Sequence, residues 1–223
     1  MTLAQASGPF FRWDWVFDHL DEIRDRSLEH LLLTGIALGI GLLISLALAS
    51  LALRFRAAYA PITWVTGALY TIPSLALFAF LVPITGFTVL TAQVGLVSYI
   101  LLILTRNIVA GVDGVDPAVK EAALGMGYGR WRLLLGVELP LALPVVLAGV
   151  RIAASTTIGL VTVTALIGQG GVGFFILRGL NRFFSTEIVL GVALSVLLAV
   201  FVDGALLALE RSLTPWTRRR AGA

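Results

Sequence analysis

Five long apolar runs, 31–53, 61–82, 90–112, 141–167 and 188–209, occupy most of the chain, each with at most one charged residue. A helix needs about 20 largely apolar residues to cross a bilayer, and each run is long enough. No soluble fold buries five such segments in 223 residues. Only 13% of the residues are charged, against roughly a quarter in a soluble domain, so the polar surface for a water-filled exterior is missing. The expected class is all-α and polytopic, with five transmembrane helices.

An odd number of spans puts the termini on opposite sides, and the basic residues set which side is which. Arg54, Arg56, Arg106, Lys120, Arg130, Arg132, Arg211, Arg218, Arg219 and Arg220 fall on one side; Arg12, Arg24, Arg26, Arg178 and Arg182 fall on the other. The majority side is read as cytoplasmic. This puts the N-terminus outside, the 113–140 loop inside and a basic tail, 211–223, inside the cell. Residues 1–29 are expected to form an external segment, with Trp13, Trp15 and Phe17 at headgroup depth and Asp14, Asp18 and Asp21 in water, as in a helix lying in the interface. The first thirty residues are acidic and lack a basic n-region, so no cleavable signal is expected.

Several chemistries drop out. There is no cysteine, hence no thiolate metal site or thiol nucleophile. His19 and His30 stand without further ligands at metal-type spacing, so no metal is expected. The 16 Lys and Arg against 13 Asp and Glu punctuate apolar runs instead of forming a stripe, which argues against nucleic acid. The single lysine, Lys120, does not follow a glycine, so the chain has no phosphate-cradling Gly-Lys-Ser/Thr loop. No cofactor is expected on this chain, and any ATP chemistry must lie in a partner.

The 113–140 loop is long for a connection between neighbouring spans, and such loops are functional or disordered. Its residues predict order. Asp116 is an N-cap and Pro117 suits a first helical turn, ahead of strong helix formers from Ala118 to Leu124. Gly125, Gly127 and Gly129 then end the helix and permit a reversal into a second short helix, 130–137, that reaches Leu139 and Pro140 at the membrane face. Physics leaves two readings: a docking platform for another protein, with Ala122 and Ala123 as its shallow face, or an amphipathic hairpin resting on lipid.

The run Glu121-Ala122-Ala123, Gly127, Val137, Leu139-Pro140 resembles the EAA signature of permease subunits of binding-protein-dependent ABC importers, with Val137 where the family usually has Ile. Further stretches resemble the osmoprotectant and quaternary-amine branch: Tyr70-Thr-Ile-Pro-Ser-Leu-Ala-Leu77, Thr105-Arg-Asn107, Gly114-Val-Asp-Pro117, Glu138-Leu-Pro-Leu-Ala-Leu-Pro144 with Ala148-Gly-Val-Arg151, and Ile167-Gly-Gln-Gly-Gly-Val-Gly173. The resemblance implies a type I ABC importer permease fold over residues 30–210 in the cytoplasmic (inner) membrane. It implies as partners a second permease, identical or related, two ABC ATPases that use ATP and Mg, and an external substrate-binding protein. It also implies that Glu121, Ala122, Ala123, Gly127, Leu139 and Pro140 form the ATPase-coupling set, flanked by Arg130 and Arg132 as charges that pair either with the ATPase or, as the plainer reading, with lipid phosphates. Glycine betaine, choline, carnitine or a similar solute is the implied cargo.

Within the spans, Trp64, Tyr70, Tyr99, Gln93 and Asn107 are candidates for the translocation pathway, since aromatic faces hold quaternary ammonium groups without a carboxylate. Packing or lipid contact is the plainer reading of each. Arg151 and Asp203 are intramembrane charges, which require partners. At ~1.5 Å per residue they lie about 16 Å and about 12 Å from the cytoplasmic ends of their spans, on antiparallel neighbours, so they are expected to pair, the alternatives being separate contacts with backbone carbonyls or with a second permease. The residues leave rival readings: a permease for methionine or another small solute, an autonomous channel or secondary transporter lacking visible repeat symmetry, and a membrane enzyme lacking a catalytic constellation.

Overall fold

The computed structural model describes residues 9–216; the arginines at 218–220 of the expected basic tail lie outside the described residues. Helices α1 (Trp13–Asp18), α2 (Leu20–Arg54), α3 (Tyr59–Thr71), α4 (Ser74–Thr85) and α5 (Val89–Asp113) precede the loop. Helices α6 (Pro117–Gly125), α7 (Arg130–Leu133), α8 (Leu139–Val163), α9 (Gly173–Arg182) and α10 (Ser185–Leu213) complete the order, with no strand among the described residues. Four helical stretches are long and apolar enough to span, and the bent pair α3–α4 makes a fifth.

α5 is the central helix. It runs parallel to α2, matching Gln93 to Leu33, Ser45 to Leu101 and Arg56 to Asp113, and antiparallel to α8. Water does not drive helices together inside a bilayer, so close approach depends on small residues that let backbones meet. On α2 the buried positions Ala37, Gly41, Ser45 and Ala49 recur every fourth residue and form such a stripe. A Cβ on Gly41 would lie 2.5 Å from Ile100 Cδ1, and one on Gly149 would lie 2.4 Å from Asn107 Cβ, so glycine sets both crossings. Gly35 and Gly39 on the same helix face open space and set no crossing within this chain.

Three expectations about element boundaries are corrected. The interfacial helix expected before residue 30 ends at His19, and α2 then runs unbroken from Leu20 for 35 residues, about 52 Å. No breaker separates the acidic and apolar halves, and Arg24–Asp21 and Arg26–Glu29 pairs one turn apart support the acidic half as helix. The second apolar run is not one straight span but α3 and α4 at 94° to each other. Pro73 removes an N–H and drives Ile72 into extended backbone (ψ 127°), which breaks the helix there. Third, the second loop helix is not separate: α7 continues through a π turn, Leu134–Glu138, into α8 as one helix, Arg130–Ile167. Pro140 lacks the N–H that would bond the Gly136 carbonyl, and the wider turn absorbs that defect.

At the opposite end of the bundle, Gly168, Gly170 and Gly171 take positive φ and fold the chain back from α8 into α9. A Cβ on Gly171 would lie 2.5–2.7 Å from atoms of His30, so this turn seats directly on α2. His30 is fully buried beneath it and donates from Nε2 to the Ile158 carbonyl.

Candidate coupling surface and intramembrane charge cluster

The loop helix α6 is defined by its two caps. Asp116 Oδ1 accepts from the Ala118 N–H at 2.8 Å, with Pro117 in the first turn. At the far end, Tyr128 N–H donates to the Ala123 carbonyl and Gly127 N–H to the Leu124 carbonyl, while Gly127 sits at φ 82°. This is a Schellman cap with Gly127 in the left-handed position that a side chain disfavours. The glycine of the EAA pattern thus ends the helix, whereas Gly125 is an ordinary helical residue.

Along α6, Glu121 and Ala122 are exposed and Ala123 is buried against the bundle. Leu124 and Met126 extend the exposed surface. Leu139 and Pro140 lie apart from that surface, half-buried where the π turn meets α8. Arg130 and Trp131 are exposed at the start of α7, and the Arg132 guanidinium lies 4.5 Å from the Tyr128 ring centroid.

Lys120 fastens this surface to the spans. Its Nζ donates to the Val112 carbonyl at 2.9 Å and lies 3.2 Å from Glu138 Oε1, so one half-buried ammonium joins α6 to the end of α5 and to the π turn. A cation at a helix C-terminus also meets the negative end of the helix dipole. Arg56, between α2 and α3, holds the end of α5 through a two-pronged bond to Asp113 at 2.7 and 2.8 Å. The functional reading of the sequence overlooked Lys120 and Glu138. The available signal was the chain's sole lysine standing one residue before the triplet.

In the membrane, Arg151 on α8 meets Asp203 on α10 through Nε–Oδ1 at 2.8 Å and Nη2–Oδ2 at 2.9 Å. Its Nη1 also reaches Glu210 Oε2 at 3.3 Å. Glu210, two turns from Asp203 on α10, was missed because the fifth apolar run stops one residue short of it. The other aromatic and amide candidates divide. Tyr99 is buried, donates from its hydroxyl to the Ile72 carbonyl at the α3–α4 break, and meets the Tyr70 ring edge to face at 6.2 Å. Trp64 is 81% exposed on α3. Gln93 donates to the Leu33 carbonyl and Asn107 to the Ile103 carbonyl, so both amides are bound within the bundle.

The other end holds a cluster that the sequence did not reveal. Arg178 of α9 pairs with Glu22 through two contacts, at 2.8 and 3.1 Å, and its Nε lies 2.8 Å from the buried Glu187. Rings of Trp15, Phe174 and Phe175 surround the guanidinium. These contacts tie α2, α9 and α10 together.

Residues 38–215 match the family described as binding-protein-dependent transport system inner membrane component. The chain belongs to this family. It is 32% identical over 206 residues to the osmoprotectant import permease protein OsmW of Salmonella typhimurium, covering 90% of this chain and 96% of that one. It is 37% identical to the carnitine transport permease protein OpuCB of Listeria monocytogenes, covering 86% and 88% of the two chains. It is 35% identical to the choline transport system permease protein OpuBB of Bacillus subtilis, covering 87% and 89%. Among solved structures it resembles the MetNI methionine ABC transporter in an inward-facing form, with TM-score 0.77 at 20% identity over 88% of this chain and 98% of that one. An amino acid ABC transporter solved with histidines aligns with TM-score 0.74 at 16% identity, covering 90% and 98%. These two likenesses establish the fold: this family member has the all-α architecture of type I importer permeases.

Proposed function

We propose that this chain is the membrane-spanning subunit of an ATP-driven importer for quaternary-amine osmoprotectants of the glycine betaine, choline and carnitine type. The substrate class rests on the relatives above, whose names carry osmoprotectant, carnitine and choline transport and which match 86–90% of this chain. The coupling role is carried by one observation: α6 is a capped helix with Glu121 and Ala122 outward, fastened through Lys120 to α5 and the π turn.

In this reading an external binding protein delivers the solute, and a second permease, identical or related, completes the pathway. Two cytoplasmic ATPases bind and split Mg-ATP, one seated on the α6 of each permease. ATP drives transport by binding the two pathway conformations unequally. Displacement of α6 passes through Lys120 to the end of α5 and, through Glu138, to the π turn that leads into α8. Arg151 carries the movement of α8 to α10 through Asp203 and Glu210. Tyr70, exposed beside the α3–α4 break with Tyr99 packed edge to face behind it, offers an aromatic face to a quaternary ammonium cargo, and Trp64 offers another about two turns earlier on α3. Gln93 and Asn107 serve as helix-packing groups.

The test is reconstitution with the cognate ATPase and binding protein. ATP-dependent uptake of labelled glycine betaine, choline or carnitine is expected, and Glu121→Arg abolishes copurification with the ATPase. Uptake of methionine in their place would reassign the cargo. Transport by the purified chain alone would overturn the importer reading.

A further inference from the structure

A cavity of about 420 Å³ opens beside the α6 platform, where the end of α2, the end of α5 and the start of α7 converge. Three arginines line it, Arg54, Arg56 and Arg130. The wall behind them is apolar, built from Leu53, Val112, Leu133 and Leu134.

Charge balance within the cavity is uneven. Arg56 is neutralised by Asp113, and Glu138, which also lines the cavity, is neutralised by Lys120. Arg54 lies 5.0 Å over the Phe55 ring, and no carboxylate pairs with it or with Arg130 among the described residues. Two unneutralised guanidinium groups therefore share one concavity. Arg54 closes α2 at the end of the first apolar run and Arg130 opens α7, so the cationic rim lies at headgroup depth, and the apolar wall behind it runs from the half-buried Leu53, Leu133 and Leu134 to the buried Val112. Trp131, 72% exposed at the same rim, is a residue type that favours this depth.

We propose that this cavity is a phosphate site occupied by the headgroup of an anionic phospholipid. Guanidinium groups grip phosphate oxygens by paired N–H donors, and an adjoining apolar wall accommodates the first methylenes of an acyl chain, which a free anion lacks. Basic pockets between spans on the cytoplasmic side bind acidic headgroups by this chemistry. The site is independent of the cargo, and it shares Arg130 with the residues that flank the α6 platform. Because Glu138 belongs both to the cavity and to the Lys120 tie, a bound headgroup bears on the contact that fastens α6.

Native mass spectrometry of the purified full chain in detergent tests the site, with phosphatidylglycerol, phosphatidylcholine and inorganic phosphate as probes. The wild type is expected to retain one phosphatidylglycerol in preference to phosphatidylcholine. Each arginine contributes a factor of about five near an anionic headgroup, so Arg54→Gln with Arg130→Gln lowers retention about twenty-five-fold. Arg54→Lys with Arg130→Lys restores most of it, which separates charge from misfolding, and Arg12→Gln with Arg24→Gln at the other end changes nothing. Equal retention of the two lipids, or unchanged retention in the double glutamine variant, would overturn the proposal. Displacement of phosphatidylglycerol by millimolar inorganic phosphate would overturn the lipid assignment in favour of a free anion. Loss of ATPase copurification in the double glutamine variant with lipid retention intact would assign the cavity to the ATPase instead.

Discussion

Gly127 and Gly125 lie two residues apart in the same loop, yet the structure separates them sharply. Gly127 holds φ 82°, whereas Gly125 is helical with open space where a Cβ would stand. Gly127→Ala forces a left-handed alanine and costs about 1–2 kcal/mol, while Gly125→Ala stabilises α6 by up to about 1 kcal/mol. Hydrogen exchange of the α6 amides reads both, with faster exchange in the first variant and slower in the second. Sequence alone marked three glycines as breakers but did not select one, because the choice depends on which carbonyls the turn must satisfy. The Arg151–Asp203 juxtaposition was legible from depth counting, since two charges at similar depth in apolar spans need partners. Glu210 changes the expected ranking of variants. Asp203→Asn leaves Arg151 with one carboxylate, whereas Arg151→Gln strands two. Yield of folded protein should therefore fall most for Arg151→Gln, less for Asp203→Asn, and recover in part when Arg151→Gln is combined with Asp203→Asn and Glu210→Gln. Equal yields across the series would show that the cluster contributes nothing to assembly.

At the scale of elements, apolar runs located the helices, and proline decided how two of them depart from straight rods. The third and fifth runs, 90–112 and 188–209, became α5 (Val89–Asp113) and α10 (Ser185–Leu213) with small extensions. Pro73 was visible in the second run, but its 94° consequence depends on tertiary partners. One partner is Tyr99, whose hydroxyl takes the Ile72 carbonyl at the break. Tyr99→Phe leaves that carbonyl without its donor and is expected to lower stability by about 1–3 kcal/mol, read as a lower unfolding temperature of the purified chain. An unchanged temperature would mean that the break holds without this bond. The π turn before Pro140 makes α7 and α8 one helix with a loosened joint, placed where Lys120 reaches Glu138. Lys120→Gln should leave ATPase binding intact while reducing uptake several-fold, and Lys120→Glu with Glu138→Lys should recover part of the loss. Loss of binding in Lys120→Gln would make the lysine a contact residue instead of a transmitter.

Across the whole molecule, two polar systems stand at opposite ends of the bundle, apart from the Arg151 cluster between them. Arg178 with Glu22 and Glu187 joins α9 to α2 and α10 at one end, and Lys120 with Glu138 anchors α6 at the other. The first system was illegible in the sequence, because Glu22 lies 156 residues from Arg178 along the chain and meets it only when the glycine turn at 168–171 folds α9 back onto α2. The second was half legible, since the EAA pattern marked the platform but not the lysine beneath it. The central claim is that this platform faces the cytoplasm and seats the ATPase. A chain without cysteine allows a direct measurement: Ala122→Cys, labelled with a membrane-impermeant maleimide in vesicles of known sidedness, with and without the ATPase. The account predicts labelling only from the cytoplasmic side and protection when the ATPase is bound. Labelling from the external side, or equal labelling with the ATPase present, would contradict it.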